Sequence, residues 1–185
     1  TLTGLGGFPG DDPLSLDMLG MHGSVYANYA VSQCDLLIAL GVRFDDRVTG
    51  KVSAFARRAT IVHVDLDASE INKVKQAHIP VLSDVRPALA ALNRIVQPPE
   101  NLGPWLERIE AWKQDNPLEY DEDCPHILPQ HAIAELCRLT RGRDTIIATG
   151  VGQHQMWAAQ FYKFRRQRRW LSSSGLGTMG FGLPA

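Results

Sequence analysis

The side chains best placed to do chemistry in this chain stand where short apolar runs give way to glycine turns. Gly150-Val151-Gly152-Gln153-His154-Gln155-Met156-Trp157 follows the run Asp144 to Thr149 and opens a helical pattern. Glycines let such a turn expose its N–H groups, and the first helical turn presents them to an anion. Gln153 and His154 sit in that turn with side chains able to donate to phosphate oxygens. Ser172-Ser173-Ser174-Gly175-Leu176-Gly177-Thr178-Met179-Gly180 reads as a second glycine turn at a strand-to-helix junction, and the pair forms a natural cradle for a diphosphate. A helix cap beside a core methionine would leave the same pattern.

Two further clusters lie in the first half. Gly41-Val42-Arg43-Phe44-Asp45-Asp46-Arg47-Val48-Thr49-Gly50 directly follows an apolar run. In open parallel sheets ligands bind beyond the C-terminal strand ends, so Arg43 and Arg47 are set to grip an anionic group. A solvated salt-bridge cluster is the alternative. Thr3-Gly4-Leu5-Gly6-Gly7 and Leu19-Gly20-Met21-His22-Gly23 allow close backbone approach, with His22 a candidate for contact with a flat ring or a phosphate; two ordinary turns would look alike. Asp65 and Asp67 close another β-branched run, where a carboxylate can accept ribose hydroxyls, although no G-x-G-x-x-G precedes it.

The elements that position these residues alternate. Asp35 to Gly41, Thr60 to Asp65 and Ile79 to Leu82 read as strands, with Ser24 to Gln33 and Arg86 to Val96 as helices between and after them. Such alternation means βαβ units and a parallel sheet. Gln97 to Pro104 breaks the pattern; a charged helix from Trp105 to about Asp115 and an acidic loop around Asp121 to Pro125 follow. Pro129 opens a helix to about Arg141. The expected division is residues 1–97, a linker over 98–125, and 126–185.

Composition sets the class. The chain has 185 residues, 44% hydrophobic and 21% charged, with a net charge of -1, which suits a globular protein with a buried core. That balance argues against a chain built to coat nucleic acid or an anionic membrane, and the basic run Lys163 to Arg169 reads as a solvated helix end and loop. No stretch approaches the ~20 apolar residues that cross a bilayer. Cys34, Cys124 and Cys137 are odd in number and lack C-x-x-C spacing, which favours a reducing compartment. A start at Thr1 and an end inside a glycine-rich apolar pattern at Ala185 read as a piece of a longer protein.

In order, T-x-x-G-L-G, L-G-M-H-G, G-x-R-F-D-D-R-V-T-G, V-G-Q-H-Q-M-W-A-A-Q and G-L-G-T-M-G-F-G-L-P-A resemble the catalytic subunits of the acetohydroxyacid synthase (acetolactate synthase) family. That family consists of thiamine diphosphate enzymes of three α/β domains that also bind FAD and magnesium. They join two 2-oxo acids, pyruvate with pyruvate or 2-oxobutanoate, with loss of carbon dioxide, in branched-chain amino-acid synthesis. The resemblance implies an α/β fold, in which residues 1–97 form a parallel-sheet FAD-binding middle domain and 126–185 the start of the thiamine diphosphate-binding domain.

Position by position, the resemblance puts Gly4, Gly6, Leu19, Gly20, Met21 and His22 against FAD. Gly41, Arg43, Asp45, Arg47 and Val48 would hold its ring and chain, and Asp65, Leu66, Asp84 and Val85 its adenosine end. Gly152, Gln153 and His154 would meet thiamine diphosphate, Met179 would support its bent conformation, and Arg47 would also lie near the substrate carboxylate. Gly150, Asp17 and Ala68 depart from the family's common acid, glycine and proline without removing a ligand. No metal ligand is expected in the chain, because the family's G-D-G and N-N motif would begin after Ala185 and its activating glutamate lies in an earlier domain. The chain alone is therefore expected to be inactive. The parent would be a homodimer or tetramer with a regulatory small subunit, in the cytoplasm, or in the plastid of a plant or alga. Glyoxylate carboligase and pyruvate oxidase are alternatives that R-F-D-D-R-V-T-G disfavours; a non-catalytic nucleotide-binding module has no use for the paired diphosphate motifs.

Overall fold

The computed structural model describes residues 1–185 and is an α/β protein with two parallel sheets. It divides into two compact units, residues 28–115 and residues 1–27 with 116–185. Helix α1 (Val25–Gln33) runs from one into the other.

In the unit of residues 28–115, β1 (Leu36–Leu40), β2 (Thr60–Asp65) and β3 (Ile79–Leu82) form one parallel sheet in the order β1-β2-β3. Leu36 pairs with Thr60, and Val62 with Ile79. β2 is the centre, and its Ile61, His63 and Val64 are the most deeply buried large side chains of the chain. Ile61 packs with Ala39, Phe44, Ala56 and Ala59. All three strands end on one edge. There Gly41 N–H donates to the Val64 carbonyl at 2.8 Å and Ser83 N–H to the Asp65 carbonyl at 2.9 Å. A short helix α2 (Asp46–Thr49) follows β1, and α3 (Val85–Ile95) follows β3. Pro80 is tolerated because β3 is an edge strand.

Helix α4 (Gly103–Asp115) belongs to the same unit. Trp112 meets Tyr29 of α1 edge-on at 5.7 Å, and Arg108 both bonds Gln33 and lies 5.0 Å over the Trp112 ring.

The other unit holds α5 (Pro129–Leu139), β4 (Ile147–Thr149), α6 (Gln153–Phe161) and β5 (Trp170–Ser172), with β4 and β5 paired in parallel. Its core joins Met18 to Ala158, Ala159, Tyr162, Phe164 and Trp170, with Leu2 and Leu5 packed against them. The units are groupings by contact, and they cut across the expected segments 1–97, 98–125 and 126–185. Residues 1–27 are gathered with the later segment by that apolar cluster, and residues 103–115 of the expected linker are held to residues 28–115 by the Tyr29 and Gln33 contacts. A departure from expectation follows β5: residues 173–185 form turns, with no helix after the Ser172 to Gly180 stretch.

The centre of the larger sheet sets the stability of its unit. Ile61→Ala is expected to cost about 2–5 kcal/mol by removing a buried side chain from a packed site. Urea unfolding followed by circular dichroism checks it, and an unchanged midpoint would contradict the packing described here.

Candidate functional site

β4 ends at Thr149, and Gly150 to Gly152 turn the chain into α6. Gly152 is the cap residue at φ 149, a backbone that suits glycine, and no side chain caps the helix. The N–H groups of Gln153 and His154 are thus open to an anion, while Gln155 N–H already donates to the Gly152 carbonyl at 3.1 Å. Gln153 and His154 are exposed on that turn. The His154 ring lies close to both turn glycines: a Cβ at Gly150 or Gly152 would stand 3.3 Å from it. Gly182 approaches so tightly that a Cβ there would fall 2.5 Å from the Gly150 nitrogen. Backbone donors, an amide, an imidazole and side-chain-free turns fit a diphosphate.

Polar side chains below this turn fix it. Thr149 Oγ1 lies 2.9 Å from Ser172 Oγ, joining the ends of β4 and β5, and buried Gln155 donates from Nε2 to the same Ser172 oxygen at 2.5 Å. Sequence reading missed Gln155 and Ser172 as a supporting pair. The available signal was a polar residue two positions after Gln153 on a helix face otherwise filled by Ala158 and Ala159. Met179 is exposed in the turns after β5, at 79%.

In the unit of residues 28–115 the candidates gather at the C-terminal edge of the sheet. Gly41 ends β1, Asp65 ends β2, and Asp84 and Val85 start α3 directly after β3; a Cβ at Gly41 would lie 3.9 Å from Val85. Asp65 is buried at this edge. Its Oδ1 accepts from Asp67 N–H at 2.9 Å, and its Oδ2 stands 3.7 Å from Nε2 of His63, a fully buried ring with neither nitrogen hydrogen-bonded. Leu66, next in sequence, is exposed.

Asp67 spends its carboxylate on its own turn. Ser69 bonds to it through hydroxyl and N–H, and these bonds hold its pKa below the usual carboxylate range. Asp45 caps α2 by accepting from Arg47 N–H at 3.1 Å and faces Arg43 Nη2 at 3.7 Å. Arg43 and Arg47 are both exposed, and Val48 is half-buried. An exposed pair of this kind adds little stability, so its guanidinium remains available to an anion. Two guanidinium groups beyond one strand end and a buried acid at the next fit a nucleotide's phosphates and ribose.

Gly4, Gly6, Leu19, Gly20, Met21 and His22 lie in the other unit. The flavin candidates are therefore divided between the units. Gly6 has φ 80, and a Cβ there would stand 2.7 Å from the Arg166 carbonyl oxygen, so only glycine fits. Met21 and His22 are exposed, and Leu19 and Gly20 half-buried.

The basic run does not form an open cationic stripe. Lys163 pairs with Asp17, Arg165 with Asp11, and Arg166 and Arg169 with Asp144. Burial and the neighbouring Asp35 push the Cys34 thiol up, away from thiolate reactivity. No group of three or more His, Cys, Asp or Glu side chains is assembled for a metal ion, and no helix is long and apolar enough to cross a membrane.

An uncapped helix start and a sheet edge with guanidinium donors suit phosphate-bearing cofactors. Residues 1–92 match the family model of the thiamine pyrophosphate enzyme central domain, and residues 150–185 that of the thiamine pyrophosphate enzyme C-terminal TPP binding domain. The chain belongs to the thiamine pyrophosphate enzymes. Along its whole length it is 58% identical to acetolactate synthase 1, chloroplastic, of Zea mays, covering 30% of that protein. It is 58% identical to acetolactate synthase 1, chloroplastic, of Oryza sativa subsp. japonica, covering 29% of it. Against acetolactate synthase, chloroplastic, of Arabidopsis thaliana the identity is 56% and the coverage 28%. The chain thus spans less than a third of the length of these curated relatives.

Asp84 has a structural task that separates from any ligand contact. Its Oδ1 accepts from Arg86 N–H at 2.7 Å and caps α3. Asp84→Ala is expected to lower stability by about 1 kcal/mol and Asp84→Asn by much less. Chemical denaturation of the two variants checks this, and equal losses would contradict the cap.

Proposed function

We propose that this chain is part of an acetolactate synthase, a thiamine diphosphate- and FAD-containing enzyme that joins two 2-oxo acids with loss of carbon dioxide. The observation that carries this reading is identity of 56–58% over the whole chain to proteins named acetolactate synthase. The uncapped start of α6, with Gln153 and His154 on its first turn, supports it independently. Pyruvate, alone or with 2-oxobutanoate, is the proposed substrate. The proposed assembly is a homo-oligomer with a regulatory small subunit, and the compartment is the plastid, as the relatives' names state of those proteins. Thiamine diphosphate, when bound, supplies the carbon nucleophile that takes up a 2-oxo acid.

This chain's residues then act as holders and orienters. Gly152, Gln153, His154 and the open N–H groups of α6 hold the diphosphate. Met179 gives apolar support to the cofactor's reactive end. In the proposed FAD site, Gly41, Arg43, Asp45, Arg47 and Val48 hold the ring and chain, and Asp65, Leu66, Asp84 and Val85 the adenosine end. Gly4, Gly6, Leu19, Gly20, Met21 and His22 are also proposed as FAD contacts, and Arg47 also attracts a substrate carboxylate. Residues 1–97 are proposed to serve as the middle domain, 98–125 as a linker, and 126–185 as the start of the cofactor domain. The magnesium ligands are assigned to no residue of this chain.

Binding and orientation separate by mutation in the full-length enzyme. His154→Ala is expected to raise the thiamine diphosphate concentration needed for half-maximal activity about tenfold, by removing a charge-assisted hydrogen bond. Met179→Ala is expected to lower the rate at saturating cofactor, by up to ~10²-fold for a misplaced reacting group. Flavin content should be unchanged in both. Normal cofactor dependence and normal turnover in both variants would reduce these motifs to structural turns.

A further inference from the structure

The far end of α6 is tied to the segment that carries Leu19-Gly20-Met21-His22. Gln160, in the last turn of the helix, donates from Nε2 to the His22 carbonyl oxygen at 2.8 Å. Lys163, two residues beyond the helix end, donates from Nζ to Asp17 Oδ1 at 2.7 Å. These two bonds fall on either side of the Met18-Leu19-Gly20-Met21 stretch, so one element fixes both ends of one loop.

The Asp17 end is partly desolvated. Its side chain is 13% exposed and that of Lys163 35%. Its second oxygen accepts from Tyr26 Oη at 2.6 Å, and Tyr26 is buried. Burial and the Asp17 carboxylate both push the Tyr26 phenol up, which keeps its proton in place as a donor. Asp17 itself has φ 59, a left-handed backbone that side chains rarely adopt and that persists when the surroundings fix it. Within the loop, Ser24 N–H donates to the Met18 carbonyl at 2.8 Å and Gly23 N–H to the Gly20 carbonyl at 3.0 Å. A Cβ at Gly23 would fall 2.3 Å from the Met18 oxygen, so the loop closes tightly on itself.

We propose that Gln160 and Lys163 are positioning residues for the loop Asp17 to His22, so that the helix whose start holds the diphosphate sets, with its other end, the backbone of the flavin-facing loop. The inference rests on the proposed FAD site. Neither residue is assigned to a cofactor, and each acts through the loop. A binding loop needs such support, because ligand contacts tolerate only small displacements of the groups that make them.

The test is equilibrium FAD binding to flavin-stripped full-length protein, followed by quenching of flavin fluorescence, for Gln160→Leu, Lys163→Met, Lys163→Arg and Asp17→Asn. Gln160→Leu and Lys163→Met are each expected to raise the FAD Kd about threefold to tenfold, the range a single hydrogen bond supplies. Lys163→Arg, which keeps the ion pair, should bind FAD as the wild type does. Lys163→Met combined with Asp17→Asn should be no weaker than the weaker single variant, since both break one pair. The thiamine diphosphate dependence should be unchanged. Wild-type FAD Kd values in Gln160→Leu and Lys163→Met would overturn the proposal. Equal losses of both cofactors with a lowered unfolding temperature would also overturn it, by marking a general packing role. Failure of the wild-type protein itself to bind FAD would instead overturn the flavin reading on which the proposal stands.

Discussion

Parallel pairing of neighbouring strands is the constraint on which the candidate sites depend. Parallel strands run the same way, so their C-terminal ends, and the loops that leave them, must share one edge. That is why Gly41, Asp65 and Asp84, which are 19 or more residues apart in sequence, meet at one side of the β1-β2-β3 sheet. The β4-β5 pair repeats the device on a smaller scale, bringing Thr149 beside Ser172 and the Gly150 to Gly152 turn beside the turns after β5. Ligand chemistry concentrates there because strand ends leave backbone groups and side chains free of the ladder.

Charge is managed in two ways that follow from exposure. The acids that fold back on their own chain, Asp45, Asp67 and Asp84, accept from N–H groups two residues on and so fix local turns. The basic run after α6 is neutralised across long sequence distances, by Asp11, Asp17 and Asp144. The Lys163 and Asp17 pair, being the least exposed, carries more weight than the others. Arg43 faces Asp45 in an exposed pair at the sheet edge, and Arg47 is exposed on the same segment.

Much of this was legible in the sequence. β2 and β3 coincide with their β-branched runs, Thr60 to Asp65 and Ile79 to Leu82, and α5 starts at Pro129 as helix-start chemistry requires. Gly152 and Gln153 mark the α6 boundary because glycine ends a strand and frees a helix start. The partners of Gln155, Gln160 and Tyr26 were not legible, since each lies many residues away in sequence. The strand expected before the second glycine turn is β5, but its bounds were not legible: Trp170-Leu171-Ser172 is too short to show a period, and pairing with β4 defines it. The grouping of residues 1–27 with 116–185 depends on Met18 meeting Phe164 and Trp170, a contact that no local pattern encodes.

The central claim is that the open start of α6 receives a diphosphate. A structure of the full-length protein soaked or co-crystallised with thiamine diphosphate measures this directly. The account predicts diphosphate oxygens about 3 Å from Gln153 and His154 donors or from first-turn N–H groups of α6. A diphosphate bound elsewhere, with Gln153 and His154 facing only solvent, would contradict it.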